Sequence, residues 1–246
     1  MNETFKNAVL KCIPSKLLRI ITHYTIENKS IRSGNFKISF SQQGEDVLIQ
    51  NYFEGKDVGF FIDIGACHPI KYSNTYALYL KGWSGINIEP NPDNFGFFNS
   101  LRSRDINLNL GVSDKNETLP YYKFNDPAVN TFIYDHAVTW SKTAKFALEQ
   151  TIHIHLRPLH EIILQYKSEK TPIDLMSIDC EGMDYLVLKS NNWDLFRPKM
   201  LLIENPVYDF YNYTDTEIHK FLISNDYTLY AVCGITEIFV DNRNGK

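Results

Sequence analysis

The chain has 246 residues, of which 43% are hydrophobic and 22% are charged. This balance is typical of soluble globular proteins and excludes a disordered chain, a collagen-like repeat and a coiled coil. The net charge of −4 at pH 7 leaves no basic surface of the kind that nucleic-acid binding needs, so no nucleic-acid partner is expected.

The N-terminal residues have neither the pattern of a signal peptide nor that of a membrane span. Arg19 interrupts the apolar run at residues 17–21, and no stretch approaches the ~20 apolar residues of a transmembrane helix. The four cysteines form no Cys-x-x-Cys pair, so free thiols in a reducing compartment are expected. These features predict a cytoplasmic protein.

Residues 1–40 are predicted to form a helical arm of two short helices broken at Pro14. The apolar residues of the second helix share one face. Such a face packs on its own domain, joins two copies in a homo-oligomer or lies on a membrane surface, and these alternatives remain open.

From residue 41 to residue 246, short apolar segments rich in β-branched residues alternate with helical segments. This alternation predicts an α/β fold with a mainly parallel sheet, and the last two strands, separated only by Cys233 and Gly234, are typical of an antiparallel hairpin. The strands are predicted at 59–65, 84–89, 106–112, 173–179, 200–204, 227–232 and 235–240. The helices are predicted at 42–53, 74–81, 93–101, 185–190 and 216–224, with Ser41, Ser73, Asp93, Asp184 and Asp215 as candidate caps.

Residues 115–150 do not fit this alternation, and their length and aromatic content predict a lid-like insertion. The segment that follows, 151–156, alternates with a period of two and places His153 and His155 on one face of a strand. A His-x-His pair can bind a metal ion, but two exposed imidazoles on an edge strand are the preferred interpretation.

Acidic residues end two neighbouring predicted strands, at the edge where open parallel sheets bind ligands. Asp63 ends the first strand, and Glu89, which ends the second, can accept hydrogen bonds from both hydroxyls of a ribose. Gly65 allows a close approach to the backbone, but no Gly-x-Gly-x-x-Gly motif follows. A ligand with a ribose and no pyrophosphate, such as S-adenosylmethionine, therefore fits better than a dinucleotide.

Several blocks of the sequence, in order, resemble the FkbM family of methyltransferases. The resemblance implies a class I methyltransferase (Rossmann-like) fold, with a seven-stranded mainly parallel sheet and S-adenosylmethionine as cofactor. It also implies an oxygen acceptor, often a sugar hydroxyl. The blocks are Ser41-Gln42-Gln43-Gly44-Glu45-Asp46, Phe61-Ile62-Asp63-Ile64-Gly65-Ala66 with His68-Pro69, Ser73-Asn74-Thr75, Gly82-Trp83-Ser84-Gly85, Ile88-Glu89-Pro90-Asn91-Pro92 and Ile178-Asp179-Cys180-Glu181-Gly182.

The resemblance also implies roles for individual residues in cofactor binding. Those expected at the methionine and ribose end are Asp63, Gly65 and Ala66, with Glu89 on the ribose. Those expected near the adenine are Asn91, Val112 and Ser113. Those expected at the methionine carboxylate and amine are Gln43, Ser73 and Asn74.

A sugar hydroxyl has a pKa far above 7, so its methylation needs a base or a metal ion. Asp179, Glu204 and Asn205 at two strand ends suit Mg²⁺ or Mn²⁺, in an arrangement similar to that of catechol O-methyltransferase. Where that enzyme has a lysine base, this chain has Gly182. The candidate bases are therefore Asp179, Glu181, His68 and His136, and a metal-free reaction remains an alternative.

The sequence thus predicts an S-adenosylmethionine-dependent O-methyltransferase that acts on a sugar or nucleotide-linked sugar. Its expected setting is the biosynthesis of a surface polysaccharide (capsule or lipopolysaccharide) or of a secondary metabolite. Two alternatives remain open: a partner subunit that binds the cofactor without turnover, and a methyltransferase with a small non-sugar acceptor.

Overall fold

The computed structural model describes residues 37–168, 170–206, 209 and 211–243. The helical arm predicted at 1–40 lies almost wholly outside these residues and stays a prediction. The elements below belong to the unit Ser39–Lys246. Within the described residues, no helix is long and apolar enough to cross a lipid bilayer.

The described residues form ten strands and seven α-helices. The strands are β1 Phe60–Ile64, β2 Ser84–Ile88, β3 Ile106–Leu108, β4 Gly111–Val112, β5 Glu117–Phe124, β6 Leu148–Arg157, β7 Ile173–Ile178, β8 Pro198–Glu204, β9 Tyr227–Cys233 and β10 Thr236–Asp241. The helices are α1 Glu45–Tyr52, α2 Tyr76–Leu80, α3 Pro92–Leu101, α4 Tyr134–Ser141, α5 Leu159–Tyr166, α6 Asp184–Lys189 and α7 Glu217–Ser224.

Seven of the strands form one sheet, in the order β3-β2-β1-β7-β8-β10-β9. The first five run parallel, and β10 is antiparallel to both of its neighbours. This order confirms the predicted class I methyltransferase fold with its C-terminal antiparallel hairpin. It also brings the carboxyl ends of β1, β2, β7 and β8 to one edge of the sheet.

The central strands are mainly apolar because both faces of the sheet are covered. Phe61 and Ile62 are consecutive in β1 and fully buried, yet they join two different hydrophobic clusters. Successive side chains of a strand point to opposite faces, so each cluster fills one side of the sheet. A rigid sheet buried on both faces holds its strand ends in fixed positions.

The segment 106–112, predicted as one strand, is in fact two. Residues 106–108 form β3 in the large sheet, whereas Gly111 and Val112 form β4 and pair with Leu156 and Arg157 of β6. The prediction was wrong here because the partner strand of β4 lies far along the chain.

Several predicted helix caps also differ. Asn91, not Asp93, caps α3 by accepting a hydrogen bond from the Asp93 amide at 3.1 Å. Thr216, not Asp215, caps α7. Asn91 lies two positions before the predicted cap and Thr216 one position after it, and both have the extended backbone that a capping residue needs.

The insertion at 115–150 contributes to a small second sheet, and its role as a lid stays a prediction. The strands of this sheet lie in the order β4-β6-β5, and α4 lies between β5 and β6 in the chain. His153 and His155 of β6 are exposed, as predicted, but β6 lies between two strands and is not an edge strand.

Candidate active site

A cavity of about 450 Å³ opens at the carboxyl ends of the parallel strands, and the insertion forms its opposite wall. Most of the residues that the sequence singled out line this cavity. They are Gln43, Asp63, Gly65, Ala66, Ser73, Asn74, Glu89, Val112, His136, Asp179, Glu181 and Glu204. Four do not line it, namely His68, Asn91, Ser113 and Asn205.

Asp63 and Glu89 lie at the ends of two paired strands and share the cavity. Glu89 is 3% exposed, and its two oxygens accept hydrogen bonds from the amides of Cys67 and Asn91, each at 2.7 Å. Burial raises the pKa of Glu89 to about 8, although these two hydrogen bonds act to lower it. Burial also raises the pKa of Asp63. Both acids can therefore form strong hydrogen bonds to a ligand in this cavity.

The backbone after β1 approaches the backbone after β7 so closely that only glycine fits at position 65. Gly65 has φ +75°, and a Cβ on it would lie 1.7 Å from the carbonyl oxygen of Asp179. Cys67 and Glu181, which also line the cavity, have positive φ without being glycine. Backbone strain of this kind is found mostly at functional sites.

Three carboxylates gather where β7 and β8 end. Asp179, Glu181 and Glu204 each place one ligand atom within 4.8 Å of the others. Burial and the neighbouring carboxylates raise the pKa values of Glu181 and Glu204 to about 8 and that of Asp179 well above its usual range. In the described part of the chain, this is the one group of three or more such side chains with the spacing of metal ligands.

Asn205 was predicted as a metal ligand, but the structure places it outside this cluster. Its amide nitrogen donates to Oε2 of Glu237 at 3.0 Å and to Oγ1 of Thr216 at 3.2 Å. Its side chain is fully buried among these partners and does not line the cavity. The third acid of the cluster is Glu181 instead, because the tight turn after β7 brings that residue back toward Glu204.

The two candidate histidines lie in different places. Nδ1 of His68 accepts hydrogen bonds from the amides of Ile70 and Lys71, at 3.1 and 3.0 Å, and the residue does not line the cavity. Burial lowers the pKa of His68. His136 of α4 does line the cavity, and its Cε1 lies 2.5 Å from where a Cβ would stand on Gly182. Only His136 is thus near the acid cluster.

Asn91 and Ser113 were predicted to lie near the adenine of the cofactor. Asn91 caps α3 and is 2% exposed. Ser113 is fully buried, and its hydroxyl donates to Glu117 at 2.7 Å. The structure does not bring either side chain to the cavity, so of the three predicted adenine contacts only Val112 lines it.

The wall formed by the insertion contains residues that the sequence did not single out for function. Trp140 and Phe146 line the cavity with their ring centroids 5.4 Å apart, and Nζ of Lys145 lies 4.6 Å from the Phe146 ring centroid. Asp126 lines the same wall. The sequence indicated only that the insertion is rich in aromatic residues, and nothing in it distinguished Asp126 and Lys145 from ordinary surface charges.

Comparison with models of protein families gives a match. The model of a family described as "Methyltransferase FkbM domain" matches residues 63–229, which is well over half of the chain. The match begins at Asp63 and includes both the strand-end acids and the insertion. No curated protein matches this chain.

Proposed function

The chain belongs to the FkbM methyltransferase family, and on that premise we propose that it transfers a methyl group from S-adenosylmethionine to a sugar hydroxyl. The family implies S-adenosylmethionine as the methyl donor. The observation that carries the proposal is the shared cavity, in which the cofactor acids Asp63 and Glu89 lie opposite an aromatic wall and beside a cluster of three acids.

The residues that would hold the cofactor lie at the ends of β1 and β2. Glu89 would accept hydrogen bonds from the ribose hydroxyls, and Asp63 would face the methionine end beside Gly65. When bound, S-adenosylmethionine supplies an electrophilic methyl group on a positively charged sulfur. Carboxylates that line one wall of a cavity attract such a cation.

The acid cluster supports a divalent cation as a second component. Asp179, Glu181 and Glu204 offer only oxygen ligands, the type that Mg²⁺ and Mn²⁺ prefer. An ion held there would lower the pKa of a nearby acceptor hydroxyl. Three mutually repelling carboxylates would in turn be stabilised by the charge of the ion, which fits the raised pKa values of Glu181 and Glu204.

The aromatic wall supports a sugar acceptor. Trp140 and Phe146 present ring surfaces on which a sugar ring can pack. Asp126 lines the same wall and offers its carboxylate as an acceptor for a sugar hydroxyl.

The proton of the acceptor hydroxyl needs a base within reach. If Asp179, Glu181 and Glu204 hold an ion, another residue must act as the base. Among the described residues that line the cavity, His136 is the one histidine. His136 would then take the proton of the acceptor hydroxyl as its oxygen receives the methyl group. Positioning of the two reactants would supply much of the acceleration.

The test combines titration calorimetry with S-adenosylhomocysteine and a methyl-transfer assay against a panel of glycosides, nucleotide-linked sugars and small alcohols. We expect saturable binding, transfer to a sugar hydroxyl, and loss of transfer with a chelator that Mg²⁺ or Mn²⁺ restores. Failure to bind S-adenosylhomocysteine would contradict the cofactor site. Binding without transfer to any acceptor would favour the partner-subunit alternative. Transfer only to small alcohols would refute the proposal that the acceptor is a sugar hydroxyl.

A further inference from the structure

A fully buried arginine lies behind the cavity wall. Arg102, at the C-terminus of α3, is 0% exposed. Its Nε donates to Oδ2 of Asp105 at 2.7 Å, its Nη1 donates to the carbonyl of Pro69 at 3.1 Å, and its Nη2 donates to the hydroxyl of Thr75 at 3.0 Å. A buried ion pair is a weak source of stability by itself, because the cost of removing both charges from water offsets their attraction. The arrangement therefore needs another explanation.

The hydrogen bonds of this network are donated in one direction, from Arg102 through Thr75 to Asp63. Arginine can only donate hydrogen bonds, so the oxygen of the Thr75 hydroxyl must accept from Arg102. The single proton of that hydroxyl is then free to be donated onward, and the oxygen lies 2.7 Å from Oδ2 of Asp63. The hydroxyl of Thr75 thus connects the guanidinium to a carboxylate that lines the cavity.

The other end of the network is fixed to the sheet. Oδ1 of Asp105 accepts from the amide of Gly85 at 3.0 Å, and Oδ2 accepts from the side-chain amide of Asn87 at 3.0 Å. Both donors belong to β2, which pairs with β1 beside Asp63. Arg102 is therefore anchored to β2 through Asp105 and reaches the β1–α2 loop at Pro69 and Thr75.

We propose that Arg102 and Thr75 are positioning residues for the methyl donor: together they fix the orientation of the Asp63 carboxylate and the path of the loop that lines the cofactor end of the cavity. The hydroxyl of Thr75 donates to Oδ2 of Asp63, which leaves Oδ1 available to a ligand. The same contacts oppose the effect of burial on the ionisation of Asp63, since both lower a pKa that burial raises. The inference rests on the proposed cofactor site but not on the acceptor or the metal ion.

The test is the affinity for S-adenosylhomocysteine, measured by calorimetry on three threonine variants. Thr75→Val keeps the shape of the fully buried side chain but removes the hydroxyl, and we expect affinity to fall about tenfold, the value of one hydrogen bond to a charged group. Thr75→Ser keeps the hydroxyl, and affinity should stay within about threefold of the wild type. Thr118→Val, on the exposed side of β5, is the matched control and should change nothing.

Thermal unfolding of each variant separates positioning from stability. Thr75→Val that folds and binds like the wild type would overturn the inference, and so would Thr75→Ser that binds as weakly as Thr75→Val. If Thr75→Val does not fold, Asp105→Asn decides, because it keeps the side-chain shape but weakens the anchor of Arg102, and unchanged affinity there would overturn the inference. Wild-type protein that does not bind S-adenosylhomocysteine would instead refute the cofactor site, and the inference with it.

Discussion

The chemistry of the cavity depends on carboxylates that are costly to bury. An ionised acid removed from water needs hydrogen bonds or an opposite charge. Glu89 obtains hydrogen bonds from two backbone amides, whereas Asp179, Glu181 and Glu204 have mainly each other. The first acid is thus already oriented for a ligand, and the proposed cation would supply the opposite charge that the cluster of three lacks.

Asp179 belongs to the acid cluster, so its removal should affect the reaction more than cofactor binding. We expect Asp179→Ala to lower the methyl-transfer rate by at least about 10²-fold, with the dissociation constant of S-adenosylhomocysteine within about threefold of the wild type. Asp194→Ala, at an exposed position, is the control for a lost aspartate. A variant that keeps most of its activity would remove Asp179 from the catalytic site.

Glu89 should show the opposite pattern. Glu89→Ala removes an acceptor proposed for the ribose, and we expect cofactor binding to weaken by about 1–3 kcal/mol. Calorimetry with S-adenosylhomocysteine measures this effect directly, and the exposed Glu54→Ala serves as the control. Unchanged affinity in a folded Glu89→Ala protein would show that the cofactor does not use this acid.

At the scale of elements, the large sheet and the small sheet have different tasks. The large sheet fixes the strand ends, and its central strands are buried on both faces. The small sheet supplies the opposite wall, through α4 and the chain that leads into β6. Affinity for the cofactor and selectivity for the acceptor should therefore respond to changes in different elements.

Trp140 in α4 offers a direct test of this division. We expect Trp140→Ala to raise the Michaelis constant of the acceptor about tenfold, since an aromatic platform contributes on the order of 0.5–1.5 kcal/mol beyond the area it buries, while cofactor affinity stays the same. Tyr134→Ala, on the same helix but 65% exposed, is the matched control. Equal effects of the two substitutions would argue against an acceptor site on this wall.

At the scale of the whole molecule, the acid cluster links stability to pH. The pKa of Glu204 in the folded protein is raised to about 8 from an ordinary value of 4.5. Between these values the folded protein holds a proton that the unfolded chain has released, so stability falls as the pH rises. This contribution is fully present below about pH 4.5 and lost above about pH 8.

Glu204→Gln should therefore stabilise the metal-free protein at alkaline pH. At pH 8.5 in the presence of a chelator, we expect its unfolding temperature to exceed that of the wild type by about 2–4 °C, the shift that 1 kcal/mol produces in a protein of this size. The same substitution should abolish the rise in unfolding temperature that Mg²⁺ or Mn²⁺ gives the wild type. The exposed Glu149→Gln is the control. A Glu204→Gln protein less stable than the wild type under these conditions would contradict the raised pKa assigned to Glu204.

Local sequence was enough to predict the large sheet and the acids at its edge. The runs at β1, β2, β7 and β8 are short and mainly apolar, which is typical of strands covered on both faces. The ends of those runs directly predict which acids lie at the edge of the sheet, namely Asp63, Glu89, Asp179 and Glu204. The antiparallel hairpin was equally readable, because only two residues separate its strands.

Tertiary structure decided the features that depend on partners distant in the chain. Segment 106–112 divides because β4 pairs with β6, more than forty residues later. Asn205 leaves the acid cluster because Glu237 and Thr216 bind its amide, and His136 reaches the cluster because α4 packs it against Gly182. The hydrophobic pattern of a strand reflects how deeply the strand is buried, so it can be recognised in the local sequence. The neighbours that orient a side chain come from distant parts of the chain and are fixed only when the chain has folded.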